Sequence, residues 1–222
     1  MLFDLMKAGG AADIAVIVFS YLVILLIAFP IHECSHAFVA KMLGDNTAEE
    51  EGRITLNPFS HLDPMGTIGI MIFGIGWAKS VPINPRRARK VSQKTAMALT
   101  AAAGPISNVI VSLIFMIAEK IVIVASGLND PTAFYVASAL DMVLSINLSL
   151  AVFNLLPIPP FDGSRIFLAF LPTKYYFSIM RYERFIMIGI LVLLYTGILS
   201  IPFGILTNLL YSGLDFITGF IC

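Results

Sequence analysis

The chain has 222 residues, of which 58% are hydrophobic and 13% charged, about half the roughly 25% charge of an average soluble domain. Its 14 basic residues match its 14 acidic ones, so no basic footprint for nucleic acid exists, and two cysteines, Cys34 and Cys222, provide no disulfide framework. A mean hydropathy of +0.90 excludes an ordinary soluble domain and implies an integral membrane protein.

A first span is expected over 13–43, stopped by Gly44-Asp45-Asn46. At 1.5 Å per residue it reaches about 45 Å, beyond the roughly 30 Å of a bilayer's hydrocarbon core, so its second half emerges or is sheathed by other helices. Pro30 is expected to kink it. No cleaved leader is expected, because the first apolar run continues into the helix that carries the candidate chemistry. Gly52-Arg53-Ile54-Thr55-Leu56-Asn57-Pro58 reads as extended and then turned. The apolar segment 66–77 is too short to span and is expected to be re-entrant. Its glycines and Ile/Phe content favour a bent, β-like course. Such backbone survives at membrane depth only against protein or a cavity, which places it beside the residues that carry the candidate chemistry. Arg86, Arg87, Arg89, Lys90 and Lys94 mark a solvated loop. Further spans are expected over 96–126, 133–157, 185–199 and 203–221. The fold class is therefore an all-α polytopic membrane protein of about five transmembrane helices plus the re-entrant, β-like segment, in one domain over 1–222.

The basic residues orient it. Lys41, Arg53, Lys79, the cluster from Arg86 to Lys94, Arg165, Lys174, Arg181 and Arg184 all fall in two polar regions that this arrangement puts on one side. By the positive-inside rule that side is cytoplasmic.

His32-Glu33-Cys34-Ser35-His36 follows an uncharged run from Ile14 to Phe29. On a helix, residues i and i+4 share a face, so both imidazoles can bind one ion, and Glu33 lies beside the first ligand to take a proton from water activated there. An ionisable group at membrane depth is costly and marks function. A catalytic zinc keeps three protein ligands and an open position. Asp162, after three helix-breaking prolines and before Gly163, returns to the same side as the pair and is the favoured third ligand. His61, in a short polar loop, is the alternative. Asn154 lies two turns before Asp162, on roughly the same face if the helix runs that far, and can bind the substrate backbone or an oxyanion. An interhelical hydrogen bond is its other reading.

His-Glu-x-x-His at 32–36, followed much later by Asn154-x-x-Pro157-x-x-x-x-Asp162-Gly163, resembles the site-2 protease family of intramembrane zinc metalloproteases. Gly52–Pro58, Gly76-Trp77-Ala78-Lys79 and Ala103-Gly104-Pro105-Ile106-Ser107-Asn108 resemble its small prokaryotic branch, without the PDZ or CBS domains of some relatives. The resemblance implies one zinc per chain on His32, His36 and Asp162, with Glu33 as general acid/base. It adds Asn108 as a weaker substrate-binding candidate, and it implies a membrane-embedded β-element, for which Ile68–Ile75 is the candidate edge strand for an opened peptide. The function expected is endopeptidase cleavage in or near transmembrane segments of membrane proteins, with the lipid bilayer as the other partner. It would lie in a prokaryotic inner membrane, active site toward the cytoplasm. A zinc transporter, or a zinc-holding scaffold without catalysis, is the alternative. Oligomeric state and the role of the chain beyond Arg165 are left open by the sequence.

Overall fold

A computed structural model describes residues 1–73, 76, 78–126, 130–172, 179, 182, 185–187, 189, 190, 193 and 196–221. Helix α1, Ala11–Met42, opens where the Asp13 carboxylate in its first turn accepts the N–H of Gly9, the residue before the N-cap, at 2.9 Å. It is α-helical to Val23, widens into a π turn over Ile24–Ala28, and resumes from Phe29. The π turn answers Pro30, whose ring crowds the carbonyl four residues back. The Phe29 N–H instead reaches Ile24 O, five residues back. The helix ends on Gly44, whose φ of 101° needs no Cβ. Asp45 N–H bonds Ala40 O at 3.0 Å and Gly44 N–H bonds Lys41 O at 2.9 Å, the paired closure of a Schellman end.

Helix α2, Pro64–Phe73, corrects the expected β-like course of 66–77 and removes the candidate edge strand over Ile68–Phe73. Residues 74, 75 and 77 lie outside the described residues. Asp63 accepts the Gly66 N–H at 2.8 Å and Pro64 occupies the first turn, which together start a helix. The glycines serve packing instead of strand structure. A Cβ on Gly76 would lie 2.6 Å from Ile70 Cγ1 and closer still to Gly66 O, so the chain folds back onto α2 through its glycines. Among the described residues the only β-type pairing is an isolated antiparallel bridge of Leu62 with Ala78.

Helix α3, Gln93–Ser126, starts three residues before the expected 96, where the Ser92 hydroxyl accepts Thr95 N–H at 3.2 Å. Helix α4, Pro131–Asn154, is capped by Asp130, which accepts Thr132 N–H at 2.9 Å. It ends three residues before the expected 157. Helices α5, Asp162–Leu168, and α6, Ser200–Thr218, follow. Within the expected span 185–199, residues 188, 191, 192, 194 and 195 lie outside the described residues.

Among the described residues three helices are long and apolar enough to cross a membrane, namely α1, α3 and α4. The expected count of about five is not confirmed among the described residues, and the 19-residue α6 is not one of the three. These helices carry apolar stripes outward. Ile106, Ile110, Ile114, Ile121 and Val124 of α3 are each more than half exposed at helical spacing, which suits lipid and not water. Their other faces pack together. Val23, Ile24 and Ala28 of α1 bury against Val143 of α4, and Met116 of α3 against Leu144 and Leu148 of α4 and Leu214 of α6.

Candidate metal centre

His32 and His36 lie one turn apart just past the π turn and are both buried. Their rings meet edge-on, with centroids 4.7 Å apart, and their Nε2 atoms are 3.1 Å apart. Asp162 Oδ2 lies 3.3 Å from each Nε2. These contacts are longer than the roughly 2.7–2.9 Å of a charge-assisted hydrogen bond, and Oδ2 has no well-formed hydrogen bond of its own. Burial by itself raises the Asp162 pKa, but the two imidazoles beside it outweigh burial and hold the carboxyl well below its usual range. The three atoms thus face a common point.

That triangle fits zinc. Ligand atoms about 2.0–2.1 Å from a tetrahedral ion sit about 3.3 Å from one another, as these do. The donor set of two imidazoles and one carboxylate is that of a zinc site with an open position. His36 Nδ1 lies 2.7 Å from the Thr100 carbonyl oxygen. Donating there leaves the Nε2 lone pair free for the metal. His32 Nδ1 has no partner among the described residues.

Gly104 of α3 forms the floor. A Cβ there would lie 2.6 Å from His32 Nε2 and closer to His36 Nε2, so no larger residue fits while the pair keeps this position. Gly163 does the same for Asp162: a Cβ would strike the backbone of Leu155 and Leu156, and its absence lets the turn after α4 fold back toward α1. Glu33 is buried, and its Oε2 accepts the Val81 N–H at 3.2 Å. Val81 belongs to the non-helical segment 78–84, whose Ala78, Ser80 and Ile83 also line the cavity over the three histidine and aspartate side chains.

This cavity holds about 540 Å³, and Asn108, Asn154 and Arg165 line it too. Asn108 is buried, and its Oδ1 has no partner among the described residues. Asn154 does not share a helical face with Asp162. Helix α4 ends at Asn154 itself, because Pro157, Pro159 and Pro160 cannot continue it. Asn154 reaches the cavity from the last residue of α4 and Asp162 from the first residue of α5, and the Asn154 amide nitrogen donates to Leu150 O at 3.0 Å. His61 sits elsewhere. It is fully buried, with Nε2 2.8 Å from Thr55 O, and is not in the group His32, His36 and Asp162 whose ligand atoms fall within 4.8 Å of one another.

Sequence reasoning missed Thr100, whose carbonyl sets the His36 tautomer and leaves no side-chain signal. It also missed Val81 and Arg53. The Arg53 guanidinium is buried and donates to Ser60 O at 2.6 Å, Lys79 O at 2.5 Å and Ser80 O at 3.2 Å, so it ties the loop to the cavity wall.

The family model for peptidase family M50 matches residues 117–196, the stretch that includes Asp162. The chain is 41% identical over 204 residues, 88% of each chain, to "Putative zinc metalloprotease YwhC" of Bacillus subtilis. The chain belongs to peptidase family M50, the site-2 protease family. It is also 28% identical over 143 residues to "Putative zinc metalloprotease Rip2" of Mycolicibacterium smegmatis, covering 62% of this chain and 52% of that protein. The same holds at 29% for the Rip2 protein of Mycobacterium tuberculosis, so the chain spans about half the length of the Rip2 relatives. No solved structure matches it. Family and donor set agree: the protein is a zinc metalloprotease with apolar helices suited to a membrane.

Proposed function

We propose that this metalloprotease hydrolyses peptide bonds in or near the transmembrane segments of other membrane proteins, with His32, His36 and Asp162 holding its zinc. One observation carries the reading: the three side chains and Glu33 converge in a cavity walled by α1, α3 and α4, the helices whose outer faces suit lipid. The one-sided basic residues support a cytoplasmic position for the cavity, in a prokaryotic inner membrane.

When bound, zinc supplies a Lewis acid for the peptide carbonyl and acidifies water toward neutral pH. Glu33 takes the proton of the attacking water and returns it to the leaving nitrogen. Val81 N–H holds its Oε2, which leaves Oε1 for that transfer. A helical substrate hides its amides in its own hydrogen bonds and must unwind before attack. Asn108 Oδ1, buried without a partner among the described residues, accepts an N–H that unwinding releases, and the Asn154 amide serves the same opened backbone.

The test uses purified protein in proteoliposomes with a single-span peptide and an unstructured soluble peptide. Wild type is expected to cut the single-span peptide within or just beside its apolar segment, with the bond mapped by mass spectrometry, and Glu33→Gln is expected not to. Equal cutting by Glu33→Gln, or cutting of the soluble peptide alone, contradicts the reading.

A further inference from the structure

A second cavity adjoins the catalytic one. It holds about 380 Å³, and the two share Phe29, Gly76, Leu150 and Phe153 in their walls. Its near edge is close to the chemistry. Phe29 precedes His32 by three residues, about 4.5 Å along the helix axis. Its far edge, at Tyr21, lies eleven residues before His32, about 16 Å away and deeper along the span. Ile24, which opens the π turn, lines it as well.

The wall is mostly carbon. Its polar side chains are three hydroxyls: Tyr21 donates to Asp4 Oδ2 at 3.0 Å, Ser149 to Ser145 O at 2.9 Å, and the third is that of Ser145. A charged or amide occupant would be left unpaired there, at a cost that an apolar one does not carry. The volume falls in the roughly 300–1,000 Å³ of ligand pockets, and a cavity of about 150 Å³ already takes benzene.

We propose that this cavity is the subsite for a large apolar side chain of the substrate, such as Leu, Met or Phe, one or two residues from the cleaved bond on its membrane-embedded side. The inference rests on the reading that the enzyme cuts transmembrane segments. The register follows from length: an opened peptide advances about 3.3 Å per residue, so one or two residues cover the one turn between Phe29 and the metal ligands. The subsite is also tied to the metal centre by aromatic contacts. Phe153 meets Phe161, the neighbour of Asp162, at a centroid distance of 4.2 Å, and meets Phe203 of α6 at 5.6 Å. Phe203 also lines the cavity, which gives the C-terminal helix a part in substrate selection.

The experiment uses the zinc-loaded full chain in proteoliposomes and single-span peptides that carry Gly, Ala, Leu, Phe, Trp or Lys at each of the two positions flanking the mapped bond on its membrane side. At one position Leu or Phe is expected to exceed Ala by about tenfold or more in kcat/KM, with Lys uncut. Ser145→Phe, which fills the cavity from α4, should bring that Leu-to-Ala ratio to one or below while zinc content stays constant. Phe203→Ala, which enlarges the cavity from α6, should shift preference toward Trp, and it decides the matter if Ser145→Phe does not fold. A flat profile in wild type, or a ratio unchanged in the folded variants, overturns the subsite. The second result, accompanied by activity that follows lipid acyl-chain length, assigns the cavity to lipid. No cleavage of any single-span peptide by wild type overturns the underlying reading and the subsite with it, whereas cleavage without side-chain discrimination overturns the subsite alone.

Discussion

His36 and His61 are both buried, and each has one ring nitrogen on a backbone carbonyl, Thr100 O at 2.7 Å and Thr55 O at 2.8 Å respectively. They differ at the other nitrogen. His36 Nε2 meets His32 Nε2 and Asp162 Oδ2 at 3.1 and 3.3 Å, whereas His61 Nδ1 meets no partner among the described residues. Burial and an orienting carbonyl are therefore common to a metal-site histidine and a structural one. Convergence with other donors separates them. The same contrast holds for the regions. The cleft brings together groups that can do chemistry, while the loop around His61, stapled by Arg53 to Lys79 and Ser80, holds in place the wall that reaches Glu33.

The contrast breaks most sharply at Glu33. Glu33→Gln is expected to keep one zinc per chain while peptide cleavage falls by about a thousandfold or more. Zinc analysis beside single-turnover cleavage checks this, and near-normal turnover would remove Glu33 from proton transfer.

Gly104→Ala sharpens the packing side of the comparison. Alanine is the better helix former by about 1 kcal/mol, so the helix itself gains. Its Cβ, however, enters the space of both imidazoles, and zinc affinity is expected to fall about 10- to 100-fold, the scale on which displaced metal supports act. Competition with a chromogenic chelator reads the loss, and unchanged affinity would show that the pair does not pack on α3 as described. Asn154→Ala is expected to keep zinc and thermal stability and to cut about ten- to hundred-fold more slowly, equivalent to about 1–3 kcal/mol. A large drop in melting temperature with normal cleavage by the folded fraction would make Asn154 a packing residue.

The smallest catalytic effect is expected on the loop side. Arg53→Ala removes bonds to three carbonyls and should lower stability by about 1.5–3 kcal/mol while zinc remains at one per chain. Zinc loss at unchanged stability would mean that the loop takes part in the metal centre.

Much of this was legible in the sequence. The histidine pair, Glu33 and the Asp-Gly turn announce themselves through residue types whose spacing has a chemical reason, and the structure places them in one cavity. Spans 13–43, 96–126 and 133–157 were close because long apolar runs between caps leave the chain few options in lipid. The 66–77 segment departs from its expected course because its glycines, read locally, signal strand or bend. The Asp63-Pro64 start was the stronger cue, and Gly66 and Gly76 meet backbone to backbone, a tertiary reason that no local pattern exposes. Thr100 and Val81 were invisible for a related cause: they act through backbone atoms, which every residue carries.

The most direct test is the zinc content of Asp162→Ala and His61→Ala, each purified in limiting zinc and measured per chain beside wild type. The account predicts that Asp162→Ala loses its zinc and its cleavage together and that His61→Ala keeps one zinc per chain. Full zinc and activity in Asp162→Ala, with both lost in His61→Ala, would contradict it.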